Sequence, residues 1–88
     1  MSETLTTIRE RLRAIDDQWL QLFAQRQALA LQAGRAKAAA GLPLKDSTVE
    51  ASTLARQRAR ARELGLDEET AVAITQLLIE ASCRAQGD

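Results

Sequence analysis

The chain has 88 residues, room for one domain, and a domain of that size buries only about 60–65% of the surface its unfolded chain exposes, so its own core is thin. Cys83 stands alone and there is no histidine, which excludes a disulfide framework and a histidine-held metal as the stabilising device and leaves a partner subunit as the expected one. Twelve basic residues balance twelve acidic ones, so no global field draws the protein to nucleic acid or to an anionic membrane, and neither is expected as a partner. Alanine, leucine, arginine, glutamine and glutamate dominate, with one proline, four glycines and two aromatics, Trp19 and Phe23, a composition that reads as all-α. The opening MSETLTTIRERL has no signal-peptide apolar region, and no apolar run approaches the roughly 20 residues of a membrane span. With a free cysteine this predicts a cytosolic protein, whether the chain stands alone or is a catalytic module of a longer polypeptide.

The first element begins near Thr4. Apolar residues recur at Leu5, Ile8, Leu12, Ile15, Trp19, Leu22, Leu29, Ala33 and Ala36, an alternating three and four spacing that forms a helical heptad stripe. Neither proline nor glycine interrupts it before Gly34, and Gly41-Leu42-Pro43 supplies a stop after Ala40. A helix of residues 4–40 is about 50 Å long, whereas a compact globule of this size has a radius of gyration of about 12 Å. Such a helix projects from its own subunit, and its far half is covered only by another chain. An intertwined homodimer is the expectation, with a simple coiled coil as the plainer alternative.

A loop over 41–46 leads to a second helix, 47–64, which Ser47 caps in a capping box with Glu50 and which ends at Gly65. Val49, Leu54, Ala55 and Leu64 give it a weak apolar face. Arg56, Arg58, Arg60 and Arg62 fall on alternate residues, spread over a wide arc at helical period, and read as a solvated face rather than a nucleic-acid stripe. Leu66 staples a third helix, 67–86, capped by Asp67, with Glu68 and Glu69 complementing its dipole and Ala71, Ile74, Leu78, Ala81 and Ala85 as its core stripe. The three helices make one domain over residues 1–88.

Position 26 lies in the register of Trp19, Leu22, Leu29 and Ala33, yet it holds an arginine, and an unpaired buried guanidinium is costly. Lys37 follows 11 residues later, three turns on, so the two cations share a face about 16 Å apart along the axis. Two readings stand together: the pair brackets an anionic ligand, or Arg26 pairs with Glu50 or Glu80 while Lys37 snorkels from the helix end.

Taken jointly, Ile8-Arg9-Glu10 with Ile15-Asp16, Leu22-Phe23-Ala24-Gln25-Arg26, Gly34-Arg35-Ala36-Lys37, Pro43-Leu44-Lys45-Asp46, Glu50, Gly65-Leu66-Asp67 and Ile79-Glu80-Ala81-Ser82 with Gln86 resemble the all-α, AroQ-type chorismate mutases over nearly the whole chain. The resemblance implies a three-helix subunit whose long first helices interlock into a dimer with two sites. It implies the Claisen rearrangement of chorismate to prephenate, a step of aromatic amino acid biosynthesis. That pericyclic reaction needs no cofactor, metal or nucleophile, only a dianionic substrate held in a compact shape and donors for the charge that grows on its ether oxygen.

The roles implied are as follows. Arg26 holds one carboxylate bidentately. Arg9 lies 17 residues earlier and about 100° round the helix, and clamps the other carboxylate in the partner subunit's site; otherwise it is an exposed arginine beside Glu10 or Asp16. Lys37 and Gln86 donate to the ether oxygen, Ser82 contacts a carboxylate, and Glu50 accepts from the C4 hydroxyl with help from the backbone of Asp46. One position departs from the family's Asp-x-x-Arg-Glu pattern: Asp46-Ser47-Thr48-Val49-Glu50 has Val49 where an arginine is usual. That makes the C4 corner less positive and suggests 4-amino-4-deoxychorismate, a substrate of some antibiotic pathways, as an alternative. Pyruvate elimination from isochorismate, catalysed by a related family, and a non-catalytic helical dimer that merely binds an anion are the further alternatives.

Overall fold

Thr4 starts the first helix. Its backbone is extended and its hydroxyl accepts from the Thr7 N–H at 3.2 Å, satisfying one of the orphan donors of a helix start. The computed structural model describes residues 4–87 and holds three helices: α1 Leu5–Ala40, α2 Ser47–Glu63 and α3 Glu68–Ala85. The fold is all-α. Both inter-helix turns stop on a left-handed glycine with the double hydrogen bond of a Schellman motif. At Gly41 (φ 70°) the N–H groups of Gly41 and Leu42 reach Ala38 and Lys37. At Gly65 (φ 70°) those of Gly65 and Leu66 reach Arg62 and Ala61.

The capping box expected between Ser47 and Glu50 does not form. Asp46 is the N-cap of α2: its backbone is extended and its carboxylate accepts from the N–H groups of Thr48 and Val49 at 3.0 and 3.2 Å. Ser47 is therefore already helical, Glu50 falls one position too late to reach back, and its carboxylate is released from capping.

Helix α3 packs against both others, while α1 and α2 do not pack on each other. Most of the buried residues are small: Ala30 and Gly34 on α1, Ala61 on α2, and Thr75 and Ala81 on α3, with Ile79 the large one. This revises two expectations. Of the stripe expected on α3, Ala81 is buried and Ala71, Leu78 and Ala85 are half-buried, but a helix between two neighbours uses two faces, so Thr75 and Ile79 are buried as well while Ile74 stays exposed. On α2, which touches α3 alone, Val49, Ala55 and Leu64 are exposed and only Leu54 of the expected face is half-buried.

The heptad stripe of α1 meets little of its own subunit. Leu5, Leu12, Ile15, Trp19 and Leu22 each leave half or more of their surface exposed, and the line that faces α3 runs instead through Phe23, Gln27, Ala30 and Gly34. The molecule is 59 Å long with a radius of gyration of 16.6 Å, well above the roughly 12 Å of a compact chain of this length. No helix of the described residues is long and apolar enough to cross a membrane.

Charges staple the α2–α3 turn. Arg62 forks onto Glu68 at 3.0 and 3.1 Å, Arg58 reaches Glu69 at 2.8 Å and Glu68 at 3.6 Å, and Arg60 pairs with Glu63 along its own helix at 2.9 Å. The Glu68 carboxyl is held below its ordinary range by the Arg62 hydrogen bond, with Arg58 adding its field. Asp67, the N-cap of α3, is likewise lowered, because its carboxylate accepts from the Thr70 hydroxyl and N–H. Depressed carboxyls stabilise the fold at pH values above their unfolded range, and that contribution disappears as pH falls through the folded values. Asp67→Ala should therefore lower the thermal midpoint at pH 7, and the difference from wild type should narrow towards pH 3, as followed by circular dichroism at 222 nm.

Candidate functional site

Because α1 and α2 stand apart on the two sides of α3, a gap remains between them at the C-terminal end of α3. It is a cavity of about 370 Å³, within the range that takes small ligands. Arg26 and Lys37 enter from α1, Asp46, Val49 and Glu50 from the first turn of α2, and Ser82 and Gln86 from α3. Seven of the eight residues expected at the site thus share one cavity. Arg9 does not: on the continuous helix α1 it lies about 25 Å from Arg26 along the axis, and it is exposed.

Arg26 is half-buried and directed by neutral acceptors. One of its terminal nitrogens, Nη1, donates to the Leu78 carbonyl at 2.9 Å and to the Ser82 hydroxyl, which in turn donates to the same carbonyl at 3.0 Å. Neither Glu50 nor Glu80 pairs with it, so the ion-pair reading of Arg26 fails. The acceptors fix one arm of the fork and leave its charge uncancelled and its other N–H groups available, the arrangement a bidentate carboxylate site requires. Ser82 therefore orients the guanidinium.

Lys37 is also half-buried, and no carboxylate among the described residues pairs with it. Its ammonium donates to the Leu44 carbonyl at 2.7 Å and to Gln86 Oε1 at 2.9 Å. An ammonium only donates, so the bond dictates which end of the Gln86 amide faces it, and the amide NH₂ is left as a donor on a residue that lines the cavity. Lys37 and Gln86 thus form a two-donor unit joined across α1 and α3.

At the opposite end Glu50 faces Cys83, whose sulfur lies 3.9 Å from Oε1, a weak S–H donor contact. Val49 lines the wall beside it and Asp46, occupied as the α2 cap, closes the edge. Arg26, Lys37 and the Gln86 amide thus line the cavity from α1 and α3, and Glu50 lines it from α2 with no cation bonded to it among the described residues. Lys45, Thr53 and Cys83 were not expected at the site from sequence. Lys45 adjoins Asp46 in the loop, Thr53 lies one turn beyond Val49 with its hydroxyl returned to the Val49 carbonyl at 2.9 Å, and Cys83 neighbours Ser82. Only the adjacency of Lys45 and Cys83 to expected residues could have signalled them.

Comparison with known proteins gives a consistent family. The model of the type II chorismate mutases matches residues 8–87. The chain is 35% identical to a chorismate mutase of Methanocaldococcus jannaschii over 91% of its own length and 81% of that protein's. It is 33% identical to the bifunctional chorismate mutase/prephenate dehydratase of Escherichia coli K12 over 93% of its length, which spans 21% of the bifunctional protein. The same figures hold for the bifunctional protein of Shigella flexneri.

The Arg26 and Ser82 pairing has a measurable consequence. Ser82→Ala removes one of the two acceptors that fix the fork, and with bonds to charged groups contributing about 1.5–3 kcal/mol, affinity for a ring-bearing dicarboxylate such as isophthalate should fall about tenfold or more by calorimetric titration. The thermal midpoint should change little.

Proposed function

The chain belongs to the type II chorismate mutase family, and on that premise we propose that its cavity carries out the rearrangement of chorismate to prephenate. In this isomerisation the ether C–O bond breaks while a C–C bond forms between the enolpyruvyl side chain and the ring, and negative charge accumulates on the departing ether oxygen. Every atom stays in the molecule. The site's task is to compress a flexible dianion and to stabilise that oxygen. The observation that supports this reading is the Lys37–Gln86 bond, which joins an ammonium to an amide whose NH₂ stays a donor, both in the lining of one cavity.

In this reading Arg26 grips a substrate carboxylate with its free N–H groups, and Ser82 keeps the fork in place. Lys37 and Gln86 donate to the ether oxygen, more strongly as charge develops there, so their contribution falls on kcat. Glu50 accepts from the C4 hydroxyl at the α2 side, next to Asp46. The second carboxylate is met by Arg9 of a second copy. Support for a dimer comes from the apolar face of α1 and from an open groove of about 740 Å³ lined by Trp19, Phe23, Ile74 and Leu77, where a partner's α1 would be buried. Trp19 and Phe23 already lean on each other there, with ring centroids 6.2 Å apart. The cytosol is the proposed location, in keeping with a free thiol at the cavity wall.

One observation favours a second substrate. Val49 lines the cavity beside Glu50, so the C4 corner holds a carboxylate with an apolar neighbour, and an ammonium at C4, as in 4-amino-4-deoxychorismate, would complement it. Turnover of chorismate, 4-amino-4-deoxychorismate and isochorismate side by side separates the readings. Prephenate as the main product supports the first, a preference for the amino substrate the second, and pyruvate release from isochorismate overturns both.

Lys37→Ala should retain the helical content and lose more than about tenfold in kcat; a variant keeping more than a tenth of the activity, a loss under about 1.4 kcal/mol, overturns its role. Ile15→Asp should yield monomers in analytical ultracentrifugation and abolish turnover, since each site would then lack the partner's arginine. Mixing inactive Arg9→Ala with inactive Lys37→Ala chains should restore one working site per heterodimer, and no recovery after demonstrated subunit exchange removes the role in trans.

A further inference from the structure

Gly34 lies in the interior of α1 and is buried, in a position where glycine is among the poorest residues for a helix. Its backbone is helical, so no left-handed conformation explains it. What surrounds it does. A Cβ placed on Gly34 would lie 3.1 Å from Gln86 Cγ, 3.2 Å from Gln86 Cβ and 3.3 Å from Gln86 Cα, all tighter than ordinary van der Waals contact. The last of these is a backbone atom, so rotating the Gln86 side chain away would not relieve it, and the end of α3 itself would have to move by a few tenths of an ångström.

Lys37 lies three residues beyond Gly34, less than one turn along the same helix, and its ammonium holds Gln86 Oε1 at 2.9 Å. The bare backbone at Gly34 and the ammonium at Lys37 therefore contact the same glutamine, one beneath its stem and the other at its amide. The Gln86 backbone N–H closes the last turn of α3 on the Ser82 carbonyl at 3.0 Å. A shift at Gln86 is thus transmitted to the turn that carries Ser82, the hydroxyl orienting Arg26.

We propose that Gly34 is a positioning residue for the reaction: its missing side chain lets the last turn of α3 settle on α1 and so sets the reach of the Gln86 amide NH₂ to the reacting oxygen. The inference rests on the reading of Gln86 as a donor to the ether oxygen. Misplacing a transition-state donor by a fraction of an ångström acts on kcat more than on substrate binding, and a displacement of about 1 Å is worth up to about a hundredfold. A glycine that served packing alone would behave differently: alanine, the better helix former, would leave kcat unchanged.

The test compares Gly34→Ala, Gln86→Ala and the double variant in chorismate turnover, with the side-chain NH₂ resonances of Gln86 read by ¹H–¹⁵N NMR. Gly34→Ala is expected to lose about tenfold in kcat with KM changed less than about threefold, and to move the Gln86 NH₂ resonances. In the Gln86→Ala background, where the amide is already gone, it is expected to change kcat by less than about twofold, because two changes acting through one group are not additive. Full kcat and unmoved resonances in Gly34→Ala, with Gln86→Ala impaired in kcat, overturn the positioning role and leave Gln86's role standing. Full activity in Gln86→Ala overturns the reading of Gln86 and this inference with it. A Gly34→Ala chain that loses helix content also overturns it, since the glycine would then serve the fold and not the amide.

Discussion

The cavity exists because α3 keeps α1 and α2 apart, and its chemistry depends on how closely the last two turns of α3 lie against α1. Over that stretch the interface is built from the smallest residues available, Ala30 and Gly34 on one side and Ala81 on the other, and the polar side chains of both helices cross it. Arg26 reaches the Leu78 carbonyl and Ser82, Gln27 reaches the Ala81 carbonyl at 3.3 Å, and Lys37 reaches Gln86. Larger residues at the contact would separate the helices beyond the length of these bonds. Small side chains here are what allow long cationic ones to act across the gap, so the packing of α1 on α3 and the orientation of the donors are one feature.

Much of this architecture was legible in the sequence because helices carry period and punctuation. The length of α1 followed from an uninterrupted stripe bounded by Thr4 and Gly41, and the glycines at 41 and 65 do stop helices. Other features escaped for physical reasons. A stripe reports that a face is apolar, not which neighbour covers it, so the heptad residues of α1 were indistinguishable from those facing α3, which form an adjacent line through Phe23, Ala30 and Gly34. Asp46 and Ser47 both cap well, and the choice between them turned on which residue first adopts helical backbone. Ile74 illustrates the same limit on α3.

The site was legible to a comparable degree, with a characteristic omission. Arg26 and Lys37 were visible as charges on an apolar face, and their spacing alone put them together. Ser82 and Gln86 carried no signal of their own, Glu50 read as a capping residue or a partner of Arg26, and the site roles of all three entered through the family resemblance. What no side-chain pattern contains is the backbone: the Leu78 and Leu44 carbonyls that hold the two cations belong to leucines whose side chains say nothing of that use. Cys83 became visible only when α3 turned its sulfur towards Glu50.

The choice of those carbonyls bears on catalysis. A cation paired with a carboxylate is well stabilised, but an incoming dianion must then displace an anion to reach it, and little charge is left to offer the transition state. Carbonyl and hydroxyl oxygens fix the position of Arg26 and Lys37 through charge-assisted bonds without cancelling either charge. Several acids are engaged elsewhere: Glu68, Glu69 and Glu63 occupy Arg58, Arg60 and Arg62 at the α2–α3 turn, and Asp46 is committed to backbone N–H groups. Glu50 is free of such duty, because the cap of α2 sits one residue earlier than a capping box would demand. The cap at Asp46 thus leaves the Glu50 carboxylate free to line the cavity, and Val49, its neighbour in the chain, puts an apolar side chain beside it where an arginine would have supplied a cation.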